Sequence, residues 1–203
     1  VIEFLIGTSL AASAGLNAWM PLFLLGLADR LLPAVELPSA WSWLAGDVSL
    51  WILGGLLLLE IVADKIPALD SVNDVVQSVL RPATGGIAFG AGAGAHTIAV
   101  DDPAAFFTDD AWVPVVMGVV VALVVHVVKA TARVAANATT GGLAAPVLST
   151  AEDGASFALA AAAILVPLLA AALLVCLAVA VVVLLRRRAR RRRERDATAA
   201  VGP

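Results

Sequence analysis

Phe157–Leu185 reads FALAAAAILVPLLAAALLVCLAVAVVVLL, 29 residues with no charge and a single proline, Pro167. A membrane-crossing helix needs about 20 mainly apolar residues. The run is therefore either one tilted helix kinked at Pro167, or the end of one span joined to another. In the second case Pro146–Leu165 and Leu168–Leu185 are two spans, with a hairpin at Val166–Pro167 that lacks the usual polar turn residues. The choice fixes the parity of the whole chain, five spans or six.

Charge decides between them. Directly after the run come Arg186, Arg187, Arg188, Arg190, Arg191, Arg192, Arg193 and Arg195, eight of the 13 basic residues. Basic residues flanking spans favour the cytoplasmic side, so this tail is placed there. With six spans the N-terminus is cytoplasmic too, and Lys65, Arg81, Lys129 and Arg133 join the tail, 12 of 13 basic residues inside. Only Arg30 lies outside, with Glu36 and Asp47, and the other outer loop carries Asp101, Asp102, Asp109 and Asp110. Five simple spans would instead expose Lys65, Arg81, Lys129 and Arg133. Six spans also bring Trp41, Trp43, Trp51 and Trp112 to the outer interface as an aromatic belt.

Composition agrees with a polytopic membrane protein. Of 203 residues 61% are apolar and 14% charged, and the mean hydropathy is +0.97. A soluble domain carries roughly 25% charged residues, so soluble, disordered, coiled-coil and collagen-like classes are excluded. The net charge of −3 conceals segregation. Residues 1–185 hold 14 acidic and five basic side chains, net −9, against +6 in the tail. The one cysteine, Cys176, lies in the apolar run and excludes an internal disulfide.

The expected organisation is an all-α membrane protein of about six transmembrane helices, compatible with two inverted three-helix repeats. The spans are about 1–28, 48–65, 82–100, 112–128, 146–165 and 168–185, forming one membrane domain over 1–185, with a basic cytoplasmic tail at 186–203. The first span has Glu3 and no Lys or Arg ahead of its apolar stretch, which argues against a signal peptide. It contains Gly15, Asn17 and Pro21 at membrane depth; such a break either lines a cavity or is a packing kink satisfied by Asn17. The fourth span continues as a helix towards Asn137.

Leu59–Asp74 is the most informative polar stretch: Glu60 and Asp64 are one turn apart at the cytoplasmic end of span two, followed by Lys65 and Pro67. Ser71 and Asp74 read as a capping pair for a short interfacial helix, about 72–80, before Arg81-Pro82 opens span three. Asp70 and Asp74 either snorkel to the interface or belong to a site. Glu60 lies deeper, where an unpaired carboxylate is costly and a partner is expected. Glu152 and Asp153 sit about 10 Å into span five, counted from Pro146 at about 1.5 Å per residue. His126, Lys129, Arg133 and Asn137, spaced 3, 4 and 4, form one stripe on the cytoplasmic end of span four. The stripe is either a juxtamembrane anchor or the basic half of a cluster with the acids. His126 alone does not define a metal site, so no metal is assigned. Gly86, Gly90 and Gly94 let another helix approach closely, in the same chain or in a second copy as a homo-oligomer. His96-Thr97 follows as a candidate buried polar pair.

Several of these stretches resemble the DUF4126 family of bacterial integral membrane proteins. The shared pattern is Gly15-Leu16-Asn17-Ala18 through Pro21-Leu22, Leu59-Glu60 through Pro67 with Asp70-Ser71 and Asp74, and Arg81-Pro82. It continues with Lys129, Arg133 and Asn137 at four-residue spacing, then Ser149 and Ala151-Glu152-Asp153. Family members usually carry Tyr where Trp19 stands. The resemblance covers roughly 5–185 and implies a multi-span bacterial protein with no assigned activity. Glu60–Lys65 is also similar, with spacing off by one residue, to the acidic motif of manganese- and calcium-transporting cation/proton exchangers.

The function expected is a small secondary transporter or channel for a cation or a proton-coupled solute, in the bacterial cytoplasmic membrane. Glu60, Asp64, Lys65, Glu152 and Asp153 form its candidate site. Asn17, Asp70, Asp74, Arg81, His126, Lys129, Arg133 and Asn137 support them. A scaffold or assembly subunit is the alternative, and a lipid-handling protein a weaker one. No nucleophile–base pair, zinc-ligand spacing or phosphate loop is present in the sequence, so neither an enzyme nor a cofactor is expected. The bilayer is the partner, with anionic headgroups at the arginine tail rather than nucleic acid.

Overall fold

The computed structural model describes residues 1–95 and 112–200. His96-Thr97, the end of the expected third span and the acidic loop at 101–110 lie outside the described residues. Among those described, seven α-helices and no strand are found. They are α1 (Ile2–Leu16), α2 (Met20–Leu31), α3 (Asp47–Ala63), α4 (Pro67–Ala93), α5 (Trp112–Thr140), α6 (Ala145–Leu165) and α7 (Pro167–Ala200), with a 3-10 turn at Ser42–Ala45.

The divided reading at Pro167 resolves to a hairpin. Val166 leaves the helical region at φ −145° and ψ 76°, and Pro167 opens α7. Pro suits a first helical turn because its missing N–H would have had no partner there. Leu159 and Ala155 of α6 share a cluster with Leu173, Leu174 and Leu177 of α7. In one straight helix Leu159 and Leu177 would stand about 27 Å apart, so α7 returns alongside α6. No break separates α7 from the arginine stretch, and the helix runs on to Ala200. α5 and α6 are joined by Gly141 and Gly142 at φ +62° and +89°, where the Gly142 N–H donates to the Asn137 carbonyl at 3.2 Å and closes the helix end.

The segment expected as a first span, about 1–28, is two helices rather than one. Asn17 is extended, at φ −142° and ψ 120°, and the chain reverses over 17–19. Phe4 stacks edge-on against Phe89, and the α-carbon of Gly92 faces Leu10, whereas Gly15 lies against Ala122 and Val125. α1 thus descends along α4. α2 climbs back: Gly54 faces Phe23, Gly26 faces Leu44 and Leu50, and Arg30 pairs with Asp47 at the start of α3. Ile6, Leu10, Leu22 and Leu25 all enter one core cluster with Ala88 and Ala91, which a straight helix with about 28 Å between Ile6 and Leu25 could not do. The physical reason is Pro21. It cannot donate to residue 17 and disfavours a continuing helix, and Asn17 caps the second piece instead. The Val1 end therefore lies with Leu31 and Asp47, opposite the Lys129–Arg133 end.

Span three is also corrected. The separate interfacial helix does not exist; α4 is continuous from Pro67 through Pro82 to Ala93, and Ser71 and Asp74 lie inside it rather than capping it. Tight packing carries the helix past its internal proline. A Cβ on Gly85 would lie 2.3 Å from the Ala122 Cβ, and one on Gly118 2.3 Å from the Gly85 carbonyl oxygen. Gly86 meets Val115 and Val119, and Gly90 meets Trp41 and Val115. The helix facing these glycines is thus mainly α5 of the same chain. α1 meets α6 through Ser13 and Ser156, each hydroxyl donating to the other's backbone carbonyl at 2.8 and 3.0 Å.

Among the described residues two helices, α5 and α6, are long and apolar enough to cross a membrane. Exposed Trp43, Trp51 and Trp112 gather at the α3-start and α5-start end. This packing makes Gly85→Ala costly, on the order of 1–3 kcal/mol by overpacking. Gly55→Ala, where nothing lies within 4 Å, should stabilise by about 0.5–1 kcal/mol through helix propensity. Thermal unfolding in detergent compares them; equal shifts would contradict the α4–α5 contact.

Candidate functional site

The folded-back hairpin α1–α2 ends among charges. Breaking a helix frees carbonyls on one side and N–H groups on the other, and each needs a partner when buried. The last carbonyl of α1, on Leu16, accepts from the Lys129 Nζ at 2.6 Å. The Ala18 N–H donates to the Glu60 carboxylate at 3.0 Å. The Asn17 Oδ1 accepts from the Met20 N–H at 3.1 Å and the Trp19 N–H at 3.3 Å. A cation thus faces the helix C-terminus and an anion the helix N-terminus, both the favourable sense of the helix dipole.

From these contacts a network spreads over five helices. Glu60, near the end of α3, holds the Arg81 Nη2 of α4 at 2.9 Å. Asp64, one turn on, pairs with Arg133 at 3.1 Å, Lys129 at 3.3 Å and Arg81 at 3.7 Å. Glu152 of α6 pairs with Arg133 at 2.6 Å and Lys129 at 3.2 Å. Asp153 accepts from the Asn17 Nδ2 at 3.0 Å and from Lys65 at 3.2 Å. The Arg81 Nη1 lies 3.1 Å from the His126 Nδ1, whose other ring nitrogen is 3.2 Å from Ser78. Four carboxylates (Glu60, Asp64, Glu152, Asp153) thus meet four cations (Lys65, Arg81, Lys129, Arg133), and the formal charges cancel. Glu60, Asp64, Arg81, Lys129 and Arg133 are each at most 4% exposed. Lys65 is the outermost, with 36% of its side chain exposed.

The acids at the end of α3 and on α6 and the basic stripe of α5 are therefore brought together. Asn17 and Arg81, expected as supports, are central to the arrangement. Asp70 and Asp74 fall within the first two turns of α4, and their side chains lie outside what the structure describes. Asn137 is one turn beyond Arg133, and its buried Oδ1 has no partner. Gly86 and Gly90 pack helices, away from the charges. Among the described residues no three His, Cys, Asp or Glu side chains converge as metal ligands.

Sequence reasoning missed Asn73, whose Nδ2 donates to the Asp64 Oδ1 at 2.6 Å. Asn73, Gln77 and Arg81 repeat every four residues and form one polar stripe on α4. That signal was present, and it was lost by ending a helix at Arg81-Pro82.

Removing one partner of a buried ion pair costs about 3–5 kcal/mol, because the other charge stays buried. Arg133→Met and Glu152→Met should each lower stability on that scale. The double variant Arg133→Met with Glu152→Met, which restores three cations to three carboxylates, should be distinctly less destabilised than the sum of its parts. Chemical or thermal unfolding of the four proteins measures this, and strictly additive losses would refute the coupling.

No curated protein and no solved structure matches the chain. The profile of one family, described as a domain of unknown function (DUF4126), matches residues 4–187 and so takes in the hairpin, the charge network and the first part of α7. The chain belongs to the DUF4126 family.

Proposed function

We propose that this protein is a small secondary transporter for a proton-coupled solute, with the charge network as its gate. The observation that carries the reading is the hairpin tip. Irregular backbone at membrane depth is tolerated only where it is buried in protein or lines a path, and half-helix ends meeting mid-membrane are the usual ground plan of transporter substrate sites. Counted from the helix ends opposite the arginine tail, Glu60 and Glu152 lie about 20 Å in, within a hydrocarbon core about 30 Å thick.

In this reading α3 to α7 cross the membrane and α1–α2 is a re-entrant pair, since 15 and 12 residues reach only about 22 and 18 Å. The arginine end is cytoplasmic and the Val1 end is on the other side. Lys65, Arg81, Lys129 and Arg133 stay on the cytoplasmic side, as the positive-inside rule asks. Outward-facing Leu58, Leu59, Val62, Val120 and Val124 suit contact with lipid chains.

Each carboxylate of the network is already held by a cation, so a bare metal ion would have to displace a Lys or Arg. A proton serves better as the coupling species: neutralising one carboxylate releases its partner and unbalances a network that is otherwise closed. A bundle in which these pairs never exchanged would be a membrane scaffold instead. Pyranine-loaded proteoliposomes challenged with panels of amino acids, sugars and organic acids separate the two. Solute-dependent proton entry, lost in Glu60→Gln, is expected; proton movement no different from empty liposomes across the panels would rule the transporter reading out.

A further inference from the structure

The surroundings of Glu60 form a carboxylate cradle that the protein fills with its own side chain. The Ala18 N–H at the start of the α2 half and the Arg81 guanidinium hold the two oxygens, with Lys129 within electrostatic reach on α5 and Asp64 one turn away on α3. The donors exceed what Glu60 uses. Arg81 is 0% exposed, and its Nε–H, on the same planar group that holds Glu60, has no acceptor. A buried donor without a partner is rare and calls for an explanation. An arginine fork normally engages a carboxylate through two parallel N–H groups, and here one of them is left over.

We propose that the hairpin tip is the binding site for a small monocarboxylate, which takes the place of the Glu60 carboxylate when Glu60 accepts a proton. Charge counting selects the class. With Glu60 neutral, four cations face three carboxylates, and one monovalent anion restores the balance, whereas a metal cation would worsen the excess. The exchange conserves atoms and charge: a proton adds to a Glu60 oxygen, the neutral acid leaves the guanidinium and the Ala18 N–H, and the incoming carboxylate accepts from the same donors and from the Arg81 Nε–H. One proton and one anion enter together, with no net charge moved. The inference rests on the transporter reading for its purpose, but its site is testable without flux.

The test is calorimetric titration of sodium acetate into the full chain in zwitterionic nanodiscs, with sodium chloride as matched salt and inorganic phosphate as a second oxyanion. Wild-type protein should bind acetate more tightly as the pH is lowered. Glu60→Gln, which empties the cradle of charge but keeps its shape, should bind at least about tenfold tighter at alkaline pH, about 1.4 kcal/mol, and lose the pH dependence. Adding Arg81→Lys to Glu60→Gln keeps the charge but removes the fork, and should weaken acetate binding while the fold persists. Glu60→Gln binding no tighter than wild type, heats equal to those of chloride, or indifference to Arg81→Lys would each overturn the proposal. Tighter phosphate than acetate binding would overturn the monocarboxylate assignment. Acetate binding as expected with no proton entry into proteoliposomes would leave this site standing and remove the transporter; proton entry without acetate binding would do the reverse.

Discussion

The structure hangs on a helix broken at Asn17–Trp19 and repaired by side chains from three other helices. A chain that reverses within an apolar bundle leaves buried backbone groups without helical partners, and each needs another. Lys129 answers the carbonyl end and Glu60 the N–H end, while Asn17 caps α2 and ties it to Asp153. These charges are themselves buried, so each requires a counter-charge, and the requirement spreads outward to Arg81, Asp64, Arg133 and Glu152. The network thus follows from the break as a chain of compensations. The acids sit on α6 and at the end of α3, and Arg81, Lys129 and Arg133 on α4 and α5, because those helices surround the hairpin tip.

Packing makes the same demand from the other side. α4 must approach α5 closely enough for Arg81 and His126 to meet, and Gly85 and Gly118 remove the side chains that would hold the backbones apart. Ser13 and Ser156 do the equivalent between α1 and α6, replacing bulk with a reciprocal hydrogen bond. Small residues thus line the helix contacts, while large aliphatic ones such as Leu58, Leu59, Val120 and Val124 face outward.

Much of this was legible in the residues. Glu60, Asp64, Glu152 and Asp153 stood out because ionisable groups inside apolar runs need a reason, and the stripe through Lys129 and Arg133 supplied the opposite sign. The Pro167 hairpin followed from where the arginines had to lie. What sequence could not settle was whether a proline continues, bends or reverses a helix, since that depends on neighbours distant in the chain. Pro82 is carried through α4 by α1 and α5, Pro167 starts a helix, and Pro21 follows a full reversal that Glu60 and Lys129 stabilise from 42 and 113 residues away. Asn73 was missed for the same reason: a polar stripe is visible only when the helix carrying it is known to be continuous.

The reversal at Asn17 has a consequence on which the rest depends, because a single span at 1–28 and a re-entrant pair put Val1 on opposite sides of the membrane. Single cysteines in a Cys176→Ala background, labelled by a membrane-impermeant maleimide in right-side-out spheroplasts, measure it directly. Val1→Cys should label from outside, while Thr140→Cys, at the α5–α6 turn, should label only after the membrane is opened. Labelling of both positions only after opening would mean that the first segment crosses the membrane, and the hairpin with its charge clasp would have to be abandoned.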